Sequence, residues 1–435
     1  MEASSSPETS RASDGGRLNG AARHLVRRLL EMDVRADPYP LLNRIRAAGP
    51  VWMSDDVVVF SSHEHCEAVL REGAASTVRT HANLFKAAAP QAPAGKPVQE
   101  LTSFLFLDPP AHTRLRRLVS RSFTPRMVRG LDPVIRDLVD DLLDAAVERG
   151  RLEVVADLAY PLPVAVICRM LGVPLGDEVW FRERSSLLSR ALDPHLALTG
   201  RQPPGLDQRR SVEAELNEYF VRLAAERRRA PGDDLLSALI AAEVDGDRLT
   251  PEEISTTCRF LLNAGHETTV NLLSNGVLAL VRDPERQARL VADPASTDPF
   301  VEEVLRLDPP LHLVHRYAAS GIDVCGTRVE AGTTMVLLLS AAHRDPAVHD
   351  DPDGFAPAAE GSRHLAFGLG THFCLGAPLA RLEARLAFSR FAQRVVAPRS
   401  ADGRLSYKPN VALRGLQALP LSPERFLPRT EEWLV

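Results

Sequence analysis

Residues 367–376, FGLGTHFCLG, place three glycines, one histidine and one cysteine within ten positions. The cysteine, Cys374, stands alone, because the other four cysteines lie at positions 66, 168, 258 and 325. A thiolate is a strong metal ligand, and a single one suits axial ligation of a haem iron better than zinc or an iron–sulfur cluster, which need several thiolates. A turn around an inert buried cysteine is the usual alternative for a lone cysteine, and the density of glycine, phenylalanine and histidine here disfavours it.

The glycines and the segment that follows them explain how this stretch would present a thiolate. Glycine allows positive φ angles and a close approach of the backbone to a flat macrocycle. Residues 375–395 show helical apolar spacing, so Cys374 is predicted to lie at a helix N-terminus. Backbone N–H groups and the helix dipole stabilise a negatively charged sulfur at such a position.

Composition excludes several functional classes. The 435 residues are 45% hydrophobic and 25% charged, which is typical of a globular protein. A net charge of -5 argues against nucleic acid as a partner, since nucleic-acid binders carry a basic excess. Five scattered cysteines without a C-x-x-C motif indicate a reducing compartment, so we expect a cytoplasmic protein. No apolar run approaches the roughly 20 residues that span a bilayer, so no membrane anchor is expected.

The pattern of apolar residues predicts a mainly α-helical fold with a small β-sheet region. Residues 1–20 are expected to form a flexible polar leader and residues 21–435 a single catalytic domain. Inside that domain we predict a helical mass over 110–310, a long loop over 83–105 and strands near 51–62, 322–339 and 405–422.

One helix in this mass is much longer than its neighbours. Thr250, Pro251 and Glu253 form the N-cap, first helical position and partner residue of a capping box. The apolar pattern then continues for roughly 30 residues, or about 45 Å. A helix as long as a domain is wide must run through the core.

The spacing F-G-x-G-x-H-x-C-x-G, carried by Phe367, Gly370, His372, Cys374 and Gly376, resembles the haem-binding loop of cytochrome P-450 enzymes. These are the haem–thiolate monooxygenases, and the likeness is strongest to the soluble bacterial ones. It extends from about residue 37 onward, because three further motifs follow in the expected order. The resemblance implies the cytochrome P-450 fold, with haem b buried between the long helix and the cysteine loop of residues 364–376, which also contains Gly368.

The long helix carries AGHETT, residues 264–269, which is similar to the oxygen-activating segment of the family. Gly265 would leave room for O2 beside the haem, and the Thr268 hydroxyl can bond to the carbonyl of Ala264 and open a groove in the helix. Glu267 supplies a titratable group that can bring in protons, and Thr268 can hold the group that receives them. A packing kink is the alternative for this string taken alone.

Two more motifs concern support of the haem. Glu303 and Arg306 match the structural E-x-x-R motif, and the match implies a third partner just before the cysteine loop, either Arg363 or His364. The haem propionates need cationic or N–H partners, and the resemblance assigns that role to four residues: His112, Arg116, Arg316 and His372.

A local basic cluster follows His112 on a chain that is acidic overall. A charge run is usually a solvated face, but the family places this helix beside the thiolate face of the haem. The resemblance therefore implies that a ferredoxin or flavodoxin docks on this helix. We see no reductase module in the sequence, so we expect this partner and its reductase to bring the electrons from NAD(P)H. The predicted docking residues are Arg114, Arg117, Arg121 and Arg385.

The resemblance also indicates which residues surround the substrate. They are mainly apolar, which favours an apolar, medium-to-large substrate such as a lipid, steroid, terpenoid or polyketide. His312 is the polar exception, either orienting a substrate oxygen or serving as a structural histidine. The predicted set is Phe85, Leu261, His312, Leu313, Ala412 and Leu413.

The function implied by the resemblance is monooxygenation, that is, hydroxylation or epoxidation with O2 as co-substrate, by a protein that we expect to be a monomer. Three alternatives stay open. A peroxygenase would use hydrogen peroxide directly, and the Glu267–Thr268 pair argues against it. A family member that couples substrates oxidatively would insert no oxygen. A haem–thiolate sensor would not be an enzyme.

Overall fold

The computed structural model describes residues 15–88, 103–188, 205–357, 363–400 and 405–429. The first helix begins at Gly15, within the segment predicted as a leader, whose residues 1–14 lie outside the described ranges. Most of the predicted 83–105 loop also lies outside them. Among the residues that are described, no helix has the length and apolar composition needed to cross a bilayer.

Helices form most of the structure, as the apolar spacing predicts. Several of them begin at a Ser, Thr or Asp whose side chain accepts from a backbone amide of the first turn, as in the caps at Ser62, Thr124 and Asp234. The helices are α1 Gly15–Arg28, α2 Tyr39–Ala47, α3 His63–Arg71, α4 Asn83–Ala88, α5 Ala111–Ser122, α6 Pro125–Gly130, α7 Asp132–Arg149, α8 Pro161–Leu171, α9 Glu178–Leu188, α10 Leu206–Arg229, α11 Leu235–Ala241, α12 Pro251–Arg282, α13 Pro284–Ala292, α14 Thr297–Leu307, α15 Leu339–Ala342 and α16 Ala377–Arg394.

Helix α12 confirms the prediction of a long central helix. It has 32 residues, and the capping box is formed in both directions: the Glu253 amide donates to Thr250 Oγ1 (3.2 Å), and the Thr250 amide donates to Glu253 Oε2 (2.8 Å). Residues on all sides of this helix are buried, which is the property of a helix enclosed by its neighbours.

The strands are short, and eight of the sixteen in the described residues lie within the predicted segments 51–62, 322–339 and 405–422. The other eight lie outside those segments, and seven of them are only two residues long, too short to leave an alternating pattern. The main sheet joins β1 (51–54), β2 (57–60), β10 (334–337), β7 (314–318) and β3 (75–76) in that order. Strands β2 and β10 run parallel, and the other pairs run antiparallel. The strands are β1 Val51–Ser54, β2 Val57–Phe60, β3 Ala75–Ser76, β4 Leu152–Glu153, β5 Glu243–Val244, β6 Asp247–Arg248, β7 Val314–Ala318, β8 Ile322–Val324, β9 Thr327–Val329, β10 Thr334–Leu337, β11 Val395–Val396, β12 Arg399–Ser400, β13 Ser406–Tyr407, β14 Leu416–Ala418, β15 Pro420–Ser422 and β16 Arg425–Phe426.

Close packing of α12 against α16 fixes the cysteine loop relative to the long helix. At their contact Gly276 faces the ring of Phe388, and a Cβ at position 276 would overlap that ring. Phe388 is fully buried and also meets Phe300 of α14 edge-on, with ring centroids 5.4 Å apart. The glycine therefore lets the helix that follows Cys374 lie directly on the helix that carries residues 264–269.

Glu383 on α16 is buried without a compensating charge. It is 2% exposed, and its Oε2 has no hydrogen-bond partner among the described residues. Burial raises its pKa from 4.5 to about 8. The folded protein therefore holds a proton here that the unfolded chain releases at lower pH.

This proton predicts a pH-dependent loss of stability. As pH rises from about 4.5 to about 8, the unfolded carboxyl ionises before the folded one, so the free energy of unfolding should fall. A Glu383→Gln variant should lack this part of the slope and become the more stable protein above pH 8. Urea denaturation at several pH values measures it, with the exposed Glu330→Gln as control. Parallel curves for wild type and Glu383→Gln would contradict the prediction.

Candidate active site

The cysteine loop has a backbone conformation that its glycines make accessible. Gly368 and Gly370 have φ angles of +68° and +65°, in the left-handed region that other residues adopt at a cost. A Cβ at Gly370 would also lie only 3.1 Å from the carbonyl oxygen of Leu70. The Cys374 amide donates to the Phe367 carbonyl (2.9 Å), which closes the loop three residues before α16 begins at Ala377.

The Cys374 thiol is subject to opposing influences. Burial within the fold raises the pKa of this thiol above its usual value, and the backbone N–H groups of Gly376 and Ala377 and the charges of Arg116 and Arg381 offset that rise only in part. The Cys374 side chain nevertheless keeps exposed surface. A sulfur that is both accessible and surrounded by N–H groups and cations is suited to bind a metal as a thiolate.

The helix segment 264–269 has the altered hydrogen bonding that the sequence predicts. Thr268 Oγ1 donates to the carbonyl of Ala264 (2.8 Å), and Thr269 Oγ1 donates to that of Gly265 (2.9 Å). A Cβ on Gly265 would meet only Ile167 Cδ1, at 3.9 Å. The backbone at this point therefore borders free space and has two carbonyls engaged by hydroxyl groups.

Glu267 has a cationic partner that the sequence alone does not reveal. Lys408 Nζ lies 2.7 Å from Glu267 Oε1 and 3.1 Å from Asn271 Oδ1. The Lys408 side chain is 20% exposed and the Glu267 side chain is 7% exposed. They are 141 residues apart in sequence, and no local spacing relates them.

The E-x-x-R pair is buried, as predicted. Arg306 Nη2 and Nε bind Glu303 Oε1 and Oε2 at 2.6 and 2.9 Å, and both residues are at most 3% exposed. The remaining donors of Arg306 bind backbone carbonyls of His343, Pro352 and Gly354. A buried charge pair is retained only when its other hydrogen-bonding positions are satisfied, and here they are.

The prediction that Arg363 or His364 is the third partner of the Glu303–Arg306 pair is wrong. His364 Nε2 lies 3.1 Å from the neighbouring Glu302, whose other oxygen binds Arg381, and Arg363 is exposed. Glu303 instead accepts from the backbone amide of Ala356 (2.8 Å). Adjacent residues on a helix point in different directions, so Glu302 faces the cysteine loop and Glu303 does not.

His343 connects the E-x-x-R helix to the cysteine loop. Its Nδ1 is 3.2 Å from the Arg306 carbonyl, and its Nε2 accepts from the Leu365 amide (2.8 Å). Because Nδ1 faces a carbonyl oxygen and Nε2 accepts from an N–H, the ring proton is on Nδ1. Burial lowers the pKa of this histidine well below its usual value, so the bridge is neutral.

A group of N–H donors lies beside the loop. The rings of His112 and His372 have centroids 4.3 Å apart. His112 is 1% exposed, and neither of its ring nitrogens has a partner within the described part of the chain. Burial lowers the pKa of Arg316 to about 10, so it stays charged at neutral pH. Arg116 Nη2 donates to the carbonyl of Phe373 in the loop.

These donors fit haem b. The group has two carboxylates, and the unpartnered His112 ring and the charged Arg316 are the kind of donors that carboxylates require. One accessible thiol beside them supplies the single soft ligand, and Gly265 and the loop glycines allow the backbone to approach a planar ring. Within the described residues there is no cluster of histidine, cysteine and carboxylate side chains that would hold a bare metal ion instead.

The predicted excess of positive charge on α5 is largely offset by acidic residues and carbonyl groups. The β5–β6 hairpin and the start of α12 supply the partners of the α5 arginines from more than 120 residues away, and α7 supplies the partner of Arg385, which is why sequence proximity misses them. The contacts are Arg114 with Asp247 (2.6 Å) and Glu253 (2.5 Å), Arg117 with Asp245 (2.8 Å), Arg121 with the Glu243 carbonyl (3.0 Å) and Arg385 with Asp132 (3.1 Å).

The residues predicted to surround the substrate are placed in different surroundings. Leu261 packs in the main core, while Leu313 and Ala412 pack in the core beneath α1, α2 and β1. Leu413 is 1% exposed, and His312 lies near Tyr39, with ring centroids 6.1 Å apart. Phe85 is half-buried on α4. The His312 backbone N–H donates to the Ala412 carbonyl (2.7 Å), which joins two of these segments, and the contact of all six residues with substrate stays a prediction.

Comparisons with known proteins agree with one another. The family model described as cytochrome P-450 matches residues 48–293 and 295–396. The ligand-free structure of CYP164A2 from Mycobacterium smegmatis has a TM-score of 0.84 and 47% identity, over 92% of this chain and 100% of that one. The cytochrome P-450 monooxygenase PikC from Streptomyces venezuelae is 39% identical over 403 residues, 90% of this chain and 92% of its own length. A vitamin D3 25-hydroxylase from Pseudonocardia autotrophica is 39% identical over 333 residues, 76% and 80% of the two chains.

The N–H donors beside the cysteine loop, Arg316 among them, predict how tightly the protein retains haem. Replacing Arg316 with Leu should speed haem loss about tenfold or more, because a hydrogen bond to a charged group contributes about 1.5–3 kcal/mol. Transfer of haem to excess apomyoglobin measures the rate. Arg328→Leu, an exposed arginine paired with Glu330, is the matched control. Equal rates for the two variants would exclude Arg316 from haem binding.

Proposed function

The chain belongs to the cytochrome P-450 family, and on this premise we propose that it hydroxylates or epoxidises an apolar, medium-to-large substrate with Cys374 as the iron ligand. The relatives are enzymes of the monooxygenase class. The family's cofactor is haem held by a thiolate, and its co-substrate is O2. When bound, that cofactor supplies the activation of O2, and the chain itself supplies position, protons and exclusion of water.

The environment of Cys374 is the observation that carries the proposal. The loop from Phe367 closes on the cysteine amide, and the N–H groups of Gly376 and Ala377 point toward the sulfur. These groups stabilise negative charge and hold one orientation of the side chain. His112 and Arg316 would hold the propionates, which supports the same placement of the macrocycle.

Proton delivery is assigned to Glu267 and Thr268. The Thr268 hydroxyl donates to the carbonyl of Ala264, which leaves its oxygen free to accept a hydrogen bond. Glu267 precedes it on the same helix and supplies a carboxyl group next to the hydroxyl. Thr268 then orients the proton acceptor, and Glu267 replenishes the proton.

The substrate class is proposed from the apolar side chains at this part of α12 and from the relatives. Phe104 and Phe260 meet edge-on near His112, with ring centroids 5.0 Å apart, and Leu261 follows on α12. Aromatic and aliphatic side chains favour an apolar ligand. The vitamin D3 hydroxylase among the relatives acts on a ligand of this kind. We therefore propose a lipid, steroid, terpenoid or polyketide as substrate.

Electrons are proposed to come from a ferredoxin or flavodoxin and its reductase, supplied by NAD(P)H. Arg117 and Arg121 support a docking role, because both are exposed and their partners are surface groups that a competing carboxylate can replace. Arg114 is held by two carboxylates at once, which makes it a structural residue of the same surface.

Turnover with a surrogate ferredoxin and reductase tests the function. The haem-loaded protein, NADPH, O2 and a panel of apolar compounds should give products that carry one oxygen atom from 18O2. Compounds that shift the resting spectrum from low to high spin select the panel. Binding of such compounds without any oxygenated or coupled product would favour the sensor hypothesis.

Replacing Thr268 with Ala tests the proton pathway. Product formed per NADPH consumed should fall about tenfold or more, because a positioned acid–base group contributes about 10²–10⁴ to proton transfer. NADPH consumption should continue, with hydrogen peroxide in place of product. Thr269→Ala is the matched control, since Thr269 makes the same kind of bond one residue later. Unchanged coupling in Thr268→Ala would contradict the role.

A further inference from the structure

Arg381 lies against the cysteine loop. It is in the second turn of α16, and its guanidinium carbon is 4.4 Å from the centroid of the Phe367 ring. A guanidinium is attracted to the negative face of an aromatic ring, so this contact holds Phe367 in place. The carbonyl of Phe367 accepts the hydrogen bond from the Cys374 amide that closes the loop. Arg381 therefore brings a positive charge to the residue on which the position of the sulfur depends.

Glu302 on α14 holds Arg381 with two parallel hydrogen bonds. Arg381 Nε donates to Glu302 Oε1 (2.6 Å), and Arg381 Nη2 donates to Glu302 Oε2 (2.8 Å). Such a pair fixes the orientation of both groups as well as their distance. The Arg381 side chain is 38% exposed and the Glu302 side chain is 22% exposed, so dissolved salt screens their charges only in part. The ion pair connects the helix of the E-x-x-R motif to the helix that follows the cysteine.

His364 binds the same carboxylate from the beginning of the cysteine loop. Its Nδ1 accepts from the Ala366 amide (3.2 Å), so the ring is neutral and carries its proton on Nε2. The Nε2–H group donates to Glu302 Oε2 (3.1 Å), and the His364 side chain is 4% exposed. Burial on its own would raise the pKa of Glu302, but the bonds from Arg381 and His364 lower it to about 2. Glu302 is therefore a carboxylate at neutral pH.

Arg381 and Glu302 have opposite electrostatic effects at the sulfur. Burial raises the pKa of the Cys374 thiol, and the charge of Arg381 is one of the influences that oppose this rise. A carboxylate bound to that arginine offsets part of its charge at the sulfur. Arg116 is the other arginine whose charge acts on this thiol, and its Nη2 donates to the Phe373 carbonyl. Among the described residues Arg116 has no carboxylate partner, so Arg381 is the cation that a second charge adjusts.

We propose that Arg381 and Glu302 are positioning residues that set how easily a haem iron bound by Cys374 is reduced, because Glu302 limits how much of the Arg381 charge acts on the sulfur. His364 holds Glu302 in the orientation that this requires. The inference rests on the proposed ligation of the iron by Cys374. One electron from the proposed ferredoxin or flavodoxin converts the iron from ferric to ferrous, and no bond of the protein forms or breaks. A nearby cation favours the added negative charge, and a nearby carboxylate disfavours it.

Two substitutions should move the reduction potential of the haem-loaded protein in opposite directions. Glu302→Gln keeps the shape of the side chain and leaves the Arg381 charge uncompensated, so the ferrous-to-ferric ratio at one fixed electrode potential should rise about threefold or more. Arg381→Met removes the cation and leaves the carboxylate, so the same ratio should fall by a similar factor. Titration with an electrode and soluble mediators at low ionic strength, where screening is weakest, measures both ratios.

A loss of structural support alone would not change sign between the two variants. Arg381→Met/Glu302→Gln should return to within about twofold of the wild-type ratio, and so should Arg381→Lys, which keeps the positive charge. Asp298→Asn is the matched control, because it removes a carboxylate from the same helix one turn before Glu302, where its partner is Arg385 (3.8 Å). That exposed pair should leave the ratio within about twofold of wild type.

The spectrum of the reduced protein with carbon monoxide separates this inference from the proposed function. If wild type lacks the red-shifted band of a thiolate opposite carbon monoxide, Cys374 does not bind the iron and both ideas fail. If Glu302→Gln and Arg381→Met keep that band while their potentials equal that of wild type or move in the same direction, only the role of the Arg381–Glu302 pair is overturned.

Loss of the band in Glu302→Gln would also overturn that role, because the carboxylate would then be needed for ligation and not for the potential. Arg381→Gln replaces Arg381→Met if the methionine variant fails to fold, and the same lowered ratio is expected of it.

Discussion

The hydrogen bond from the Cys374 amide to the Phe367 carbonyl is the contact on which the site depends. It closes a loop whose glycines adopt left-handed φ angles, and it places the sulfur three residues before the start of α16. The fold then supports this loop from two sides. Helix α16 rests on α12 through Gly276 and Phe388, and His343 links the Leu365 amide to the helix of the E-x-x-R pair.

Support of the loop by hydrogen bonds contrasts with the polar segment of the long helix α12. Two threonine hydroxyls occupy carbonyls of α12 at Ala264 and Gly265, and no side chain at Gly265 fills the space beside them. The thiolate side is therefore closed by backbone hydrogen bonds, while the opposite side combines free space with polar groups. This asymmetry suits a flat cofactor that takes a protein ligand on one face and a small reactant on the other.

The sequence predicted those parts of the site that local spacing determines. The cap at Thr250, the Thr268–Ala264 bond and the Glu303–Arg306 pair each depend on residues three or four positions apart, and all three are present. Contacts between distant segments could not be predicted in this way. Lys408 reaches Glu267 over 141 residues, and Arg114 binds Asp247 over 133, so the pairing of both depends on the tertiary fold. His364 shows the same limit, because it meets Glu302 over 62 residues and the direction of each face of α14 decides that contact.

Sulfur ligation of haem iron by Cys374 is the central claim, and the spectrum of the reduced protein with carbon monoxide tests it most directly. A thiolate opposite carbon monoxide shifts the main absorption band strongly to longer wavelength. We expect this band in freshly prepared, fully haem-loaded protein, and we expect Cys374→Ser to lose it while a Cys325→Ser control keeps it. Absence of the shifted band in the wild-type protein, or its persistence in Cys374→Ser, would contradict the assignment.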